Sequence, residues 1–170
     1  TYWRQAALIR NLSMPLSMPP IQTVLKHLIN FAHNLPVLLA VGLMFDVPVT
    51  RHTLLVLPCL LLLAANLLWI ALLLGMLGAR FRDLEYVLVA TMPVLMFLSP
   101  VFYRPDYLPF SAQFIWFNPF SHLIELIRYP LLGTAPPGFV VLTNALMCLG
   151  GWIATLWLFN AKRNRIAYWL

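Results

Sequence analysis

Residues 53–77 read TLLVLPCLLLLAANLLWIALLLGML, 25 positions in a row without a charged side chain. About 20 apolar residues in a helix cross a hydrocarbon core about 30 Å thick, so this stretch alone marks a membrane span. A second charge-free stretch, Phe139–Phe159, covers 21 residues. The whole chain agrees, being 62% hydrophobic and only 9% charged over 170 residues, where a soluble domain holds roughly 45–50% apolar and 25% charged residues. An ordinary soluble domain is excluded. Outward from these two stretches, Gln22–Phe45 and Tyr86–Phe102 also qualify. The reading is therefore an all-α polytopic membrane protein with four transmembrane helices, over 22–45, 53–77, 86–102 and 139–159. The third is the shortest and carries Pro93 and Pro100, which predicts a kinked or partly unwound helix whose freed backbone groups are covered by neighbours.

The net charge of +6 does not point to nucleic acid, because Lys and Arg sit in short runs between apolar stretches, the pattern of membrane topology. With residues 1–21 inside, the cytoplasmic side collects Arg4, Arg10, Arg80, Arg82, Lys162, Arg163 and Arg165, with Lys26 near it. The other side receives Arg51, Arg104 and Arg128. The inner side, richer in Lys and Arg, places both ends of the chain in the cytoplasm. The first 21 residues, with the proline-studded SMPLSMPP at Ser13–Pro20, lack the charged start, apolar core and small-residue cleavage site of a secretory signal. Cys59 and Cys148 lie in apolar stretches and read as small core residues.

The outer segment 103–138 is too long for a turn and too apolar for a solvated loop. It contains two apolar pieces, Phe110–Phe117 and Ser121–Leu132, split by Asn118-Pro119 and closed by Pro136-Pro137-Gly138. Pieces of about 10–14 apolar residues favour re-entrant or interfacial placement over a crossing, which predicts an outer re-entrant helical hairpin. Within the second piece His122, Glu125 and Arg128 recur every three residues, aligning them on one helical face where Glu125 and Arg128 can pair.

The chemistry of an enzyme is missing from the sequence. No glycine-rich loop ends in Lys-Ser/Thr to cradle phosphates, so if ATP drives this protein another chain binds it. No metal motif, nucleophile elbow or close carboxylate pair occurs, and none of the five acidic residues lies in a span. The one concentration of polar residues inside a span is Lys26, His27, Asn30, His33 and Asn34. Their spacing of three and four puts them on one stripe of the first helix. Such groups are costly in lipid and face a bundle interior or a wet cavity. They form either a polar wall of a translocation path or interhelical hydrogen bonds, with Lys26 reaching to the interface. Asn66 carries the same two readings. Trp69 and Phe97 lie deeper than the aromatics of the interfacial belt and either stack on the C–H faces of sugars or pack helices. A secondary transporter or channel in which Lys26, His27 and His33 handle protons or ions is the alternative from another class.

Four segments resemble the permease subunit of type-2 ABC transporters that export polysaccharides or lipid-linked glycans such as O-antigen, the glycan part of lipopolysaccharide, or capsule. They are LIRNLSMPLS from Leu8 ahead of the span containing LINFAHN, GARFRDLEY from Gly78, SPVFYRPDYLP from Ser99 with NPFSHLIELIRYPLLG from Asn118, and the tail RNRIAYWL. The resemblance implies a single transmembrane domain over 1–170 in the bacterial inner membrane that dimerises and pairs with a separate ABC ATPase, which would hold ATP and Mg. It implies a cytoplasmic coupling segment over 1–21, an outer gate region over 103–138 and a cytoplasmic tail over 160–170. Members have six spans, so the four here correspond to the C-terminal two-thirds of such a permease, with the front of the family missing. Residue by residue, the resemblance puts Arg4, Arg10, Asn11 and Leu12 against the ATPase. Arg80, Arg82 and Asp83 either brace that contact or anchor topology. Asn118, Pro119, His122, Glu125 and Arg128 map onto the outer gate. No cofactor or metal is expected on the chain itself.

Overall fold

Every element of the computed structural model is a helix. It describes residues 18–46, 49–81, 83–101 and 117–169. In chain order they are α1 (Met18–Met44), a 3₁₀ turn (Arg51–Leu55), α2 (Val56–Arg80), α3 (Leu84–Leu98), α4 (Pro119–Leu131) and α5 (Gly138–Trp169). Three of them are long and apolar enough to cross a membrane, and α3 is a shorter apolar helix. This is the all-α polytopic architecture that the charge-free stretches require.

The ends of the helices follow local chemistry. Within the described residues α1 already includes Met18–Ile21, ahead of the expected Gln22. α3 stops at Leu98, ahead of the expected Phe102, because Pro100 drives the preceding residue out of the helical region. Ser99 is accordingly extended, at φ −96° and ψ 151°. At 15 residues, α3 is roughly 22 Å long, short of a full hydrocarbon core. At the other end α5 runs on past Phe159 to Trp169, so the residues that follow the expected span continue it as helix.

α2 and α5 form the central pair, α1 packs on α2, and α4 lies across both α2 and α5, while α3 touches α2 only lightly. The central pair is parallel, since its contacts climb together along both helices. Cys59 clusters with Val140, Asn66 donates to the Asn144 carbonyl at 3.1 Å, and the Trp152 indole donates to the Ala65 carbonyl at 3.2 Å. In hydrocarbon, helices associate by close backbone approach and hydrogen bonds, since hiding leucine from lipid gains nothing. Gly151 supplies the close approach, for a Cβ there would fall onto the Trp69 ring.

α4 lodges at the end of the bundle where α2 and α5 begin. Asn118 is its N-cap, accepting from the Phe120 N–H at 3.0 Å, with Pro119 in the first turn. Its C-terminus closes on Gly133 at φ 76°, with Thr134 N–H donating back to the Tyr129 carbonyl at 3.0 Å, the glycine-dependent helix stop. The Thr50 hydroxyl donates to the Gly133 carbonyl at 2.6 Å, tying this end to the turn before α2. Of the expected outer hairpin, residues 110–116 lie outside the described residues.

The Trp69–Gly151 contact makes a signed prediction. Glycine to alanine inside a helix ordinarily gains up to about 1 kcal/mol, but overpacking costs about 1–3 kcal/mol, and the Trp69 ring is held by its own hydrogen bond to Asn66. Gly151→Ala should therefore lower the thermal stability of the detergent-purified protein. Gly150→Ala, where a Cβ meets nothing within 4 Å, should leave it unchanged or raise it.

Candidate functional site

α1 is two-sided. Val24 is buried, Leu28, Phe31 and Leu35 are half-buried, and Phe31 packs against the cluster of Cys59, Leu126, Ile127 and Val140. These positions, spaced by three and four, form the face turned to α2. Lys26, His27, Asn30, His33 and Asn34 are all exposed, with Lys26, Asn30 and His33 on the far side of the helix and His27 and Asn34 on its flank. A membrane helix thus carries a lysine, two imidazoles and two amides away from its own bundle, with no acidic residue anywhere on α1. The Asn34 amide donates to the Asn30 carbonyl at 2.8 Å.

The remaining residues singled out for a translocation path do not join this stripe. Asn66 is fully buried. Its amide donates to the Leu62 carbonyl at 3.0 Å and the Asn144 carbonyl at 3.1 Å, and its oxygen accepts from the Trp69 indole at 3.1 Å. Asn66 and Trp69 are therefore committed to the α2–α5 seam: the Asn66 amide reaches the α5 backbone, its oxygen holds the Trp69 indole on α2, and that ring lies against Gly151 of α5. Phe97 is 67% exposed on α3, on neither surface.

The gate residues converge on the opposite end of the described chain from Arg80. Asn118, besides capping α4, donates to the Ser99 hydroxyl at 2.9 Å. His122 is buried, with its ring edge-on to Phe139 at 6.2 Å, and its carbonyl accepts from the Asn144 amide at 2.8 Å. Arg128 pairs with Glu125 at 3.2 Å, as their spacing predicts. Asn144 is the residue that the sequence reading missed. It is fully buried and donates to both His122 and, at 2.8 Å, its own helix at Val140. A lone amide in an apolar span was the available signal.

Of the residues expected to meet an ATPase, Arg80 stacks over the Phe81 ring at 5.2 Å and Asp83 is exposed beside it. Arg4, Arg10, Asn11, Leu12 and Arg82 lie outside the described residues. Among the described residues no three His, Cys, Asp or Glu side chains are grouped to hold a metal.

The family model for ABC-2 type transporters matches residues 6–132, from ahead of α1 to the C-cap of α4 and well over half of the chain. The chain belongs to the ABC-2 type transporter family. No curated protein and no solved structure matched it. An ABC-2 membrane domain is a permease and not an ATPase, so this ABC-2 chain is a multi-pass transporter subunit that works with a partner ATPase. Membership does not favour the alternative of a secondary transporter run by Lys26, His27 and His33. It leaves the stripe on α1 as the outstanding polar surface of this ABC-2 permease.

Two substitutions separate the two kinds of polar residue. Asn144→Ala removes the bond from α5 to α4 and should cost about 1–3 kcal/mol, read as a lower unfolding midpoint in detergent. Lys26→Ala, on the exposed stripe, should shift stability by no more than about 0.5 kcal/mol.

Proposed function

We propose that this ABC-2 permease exports polysaccharide or a lipid-linked glycan of the O-antigen or capsule type across the bacterial inner membrane, working as a homodimer with a separate ATPase that holds ATP and Mg. The observation that carries the reading is the α1 stripe: Lys26, His27, Asn30, His33 and Asn34 are exposed along a membrane helix, outside the face that packs. Against lipid these groups are costly, whereas along a wet path they are useful. A hydrated sugar chain exchanges hydrogen bonds readily with amides and imidazoles, and a wall of several weak partners lets a polymer slide where one tight site would stall it.

The orientation that goes with this function has both chain ends in the cytoplasm and α4 as part of an outer, re-entrant gate. Arg80, Arg82 and Asp83, together with Arg4, Arg10, Asn11 and Leu12, then stand on the side of the ATPase. The weaker packing of α3 against the rest suits a subunit whose helices shift when a partner hydrolyses ATP. Phe97, exposed on α3, remains a candidate surface for sugar stacking, whereas Asn66 and Trp69 serve to hold α2 and α5 together.

Export measured per assembled permease–ATPase complex tests the path. The double variant Asn30→Leu, Asn34→Leu dries the stripe and should cut glycan export severalfold while leaving assembly intact. Wild-type export per complex in that variant would remove the stripe from the path. Sidedness is tested separately. Gly133 tolerates a side chain poorly at φ 76°, so the probe belongs at exposed Ala135. Ala135→Cys should react with an impermeant thiol reagent from the periplasmic side only. Labelling from the cytoplasm alone would invert the proposed orientation.

A further inference from the structure

α3 has no fully buried residue; only Leu84, Leu88 and Leu95 are half-buried along one face, while Tyr86, Val89 and Phe97 are 76%, 68% and 67% exposed. Apolar packing within the chain does little to fix its direction, and in lipid such packing adds no hydrophobic drive. The chain changes character immediately after its last turn. Ser99 is 2% exposed and Pro100 is fully buried. Both are held by α4: Arg128 donates through Nη1 to the Pro100 carbonyl at 2.7 Å, and the Asn118 amide donates to the Ser99 hydroxyl at 2.9 Å.

The guanidinium is aimed by Glu125, one turn earlier on the same face, whose Oε1 accepts from the same Nη1 at 3.2 Å. Glu125 is almost wholly buried, with 4% of its side chain exposed, against 27% for Arg128. A carboxylate that deep is retained only with a charged partner, since losing that partner leaves an uncompensated charge. The pair therefore holds the guanidinium at the mouth of the joint, where the C-terminal end of α3 presents outward-pointing carbonyls and the negative end of its dipole. An arginine fork is suited to this, having donors for a carboxylate and a carbonyl at once.

We infer that Arg128, positioned by Glu125 and assisted by Asn118, latches the outer end of α3 to α4, so that the two move as one body while α3 is otherwise free to swing against α2. Opening the latch frees α3 without dismantling the α2–α5 seam, whose hydrogen bonds involve none of these side chains. The inference goes beyond the proposed cargo and does not depend on it.

The test measures distances within one chain of the full permease–ATPase complex in lipid nanodiscs. Spin labels replace Met96 on α3 and Leu142 on α5, both exposed, and labelled copies are diluted with an excess of unlabelled ones. The unaltered latch should give a single narrow distance distribution. Arg128→Ala should broaden it and add a population at longer distance, Glu125→Gln should do so to a smaller extent, and Arg128→Lys should recover part of the narrow population. Ser99→Ala, a change too small to prevent folding, should broaden it modestly and serves as the deciding variant if Arg128→Ala fails to insert. A distribution in correctly inserted Arg128→Ala, or in Ser99→Ala in its place, identical to that of the parent would overturn the latch. A glycan-export defect alone would not rescue it.

Discussion

Inside a bilayer the backbone must satisfy its own hydrogen bonds and apolar side chains gain nothing by leaving lipid for protein, so the α2–α5 seam is held by the few groups that gain something there. Asn66 and Asn144 are those groups. One bridges α2 to the α5 backbone, the other carries the connection on from α5 to α4, and the Gly151–Trp69 contact lets the helix axes come close enough for both. α1 then leans on the outside of α2 through Val24 and Phe31, and α4 wedges its apolar face, Leu126 and Ile127, against Cys59 and Val140. Remove the seam and neither α1 nor α4 has a surface to pack on.

The sequence made the spans legible because charge-free length is a nearly one-dimensional property. The helix over 56–80 follows from composition alone, and the Glu125–Arg128 pair from helical spacing. Other features depend on where neighbouring helices lie, which no single stretch encodes. Asn66 and Trp69 illustrate this: the same side chains suit a wet wall or a dry seam, and only the position of α5 decides for the seam. Asn144 and Gly151 went unread because each is one small residue among leucines, given meaning by a partner dozens of residues away. The continuation of α5 past its apolar stretch has a different reason: basic residues such as Lys162 end a hydrophobic stretch but not a helix, since lysine and arginine are good helix formers once outside the hydrocarbon.

Polar residues in this chain thus divide into two populations with opposite solvent relations. Asn66 and Asn144 are buried and donate to neighbouring helices, and Glu125 is buried beside Arg128 on its own helix, so that part of their cost in hydrocarbon is offset on the spot. Lys26, His27, Asn30, His33 and Asn34 are exposed on a helix whose other face is already used for packing. The first population is consumed in holding the frame together; the second is the surface on which the proposed export path rests.

The parallel arrangement of α2 and α5 also constrains what lies between them. Two helices that run the same way across a membrane require the chain to return to its starting side an odd number of times in between. If α3 makes that return, α4 has to begin and end on the side where α5 begins. Its contacts obey this condition: Asn118 at its N-terminus meets Ser99 at the end of α3, while Gly133 past its C-terminus meets Thr50 at the start of the turn leading into α2. A 13-residue helix is about 20 Å long, close to the length of α3, but it holds buried His122 and Glu125 and a half-buried Arg128, where α3 is an apolar helix. The proposed re-entrant placement of α4 is consistent with a parallel seam, a single return and a short, amphipathic helix. It also puts the Arg128–Glu125 pair where the end of the returning helix has carbonyls to offer.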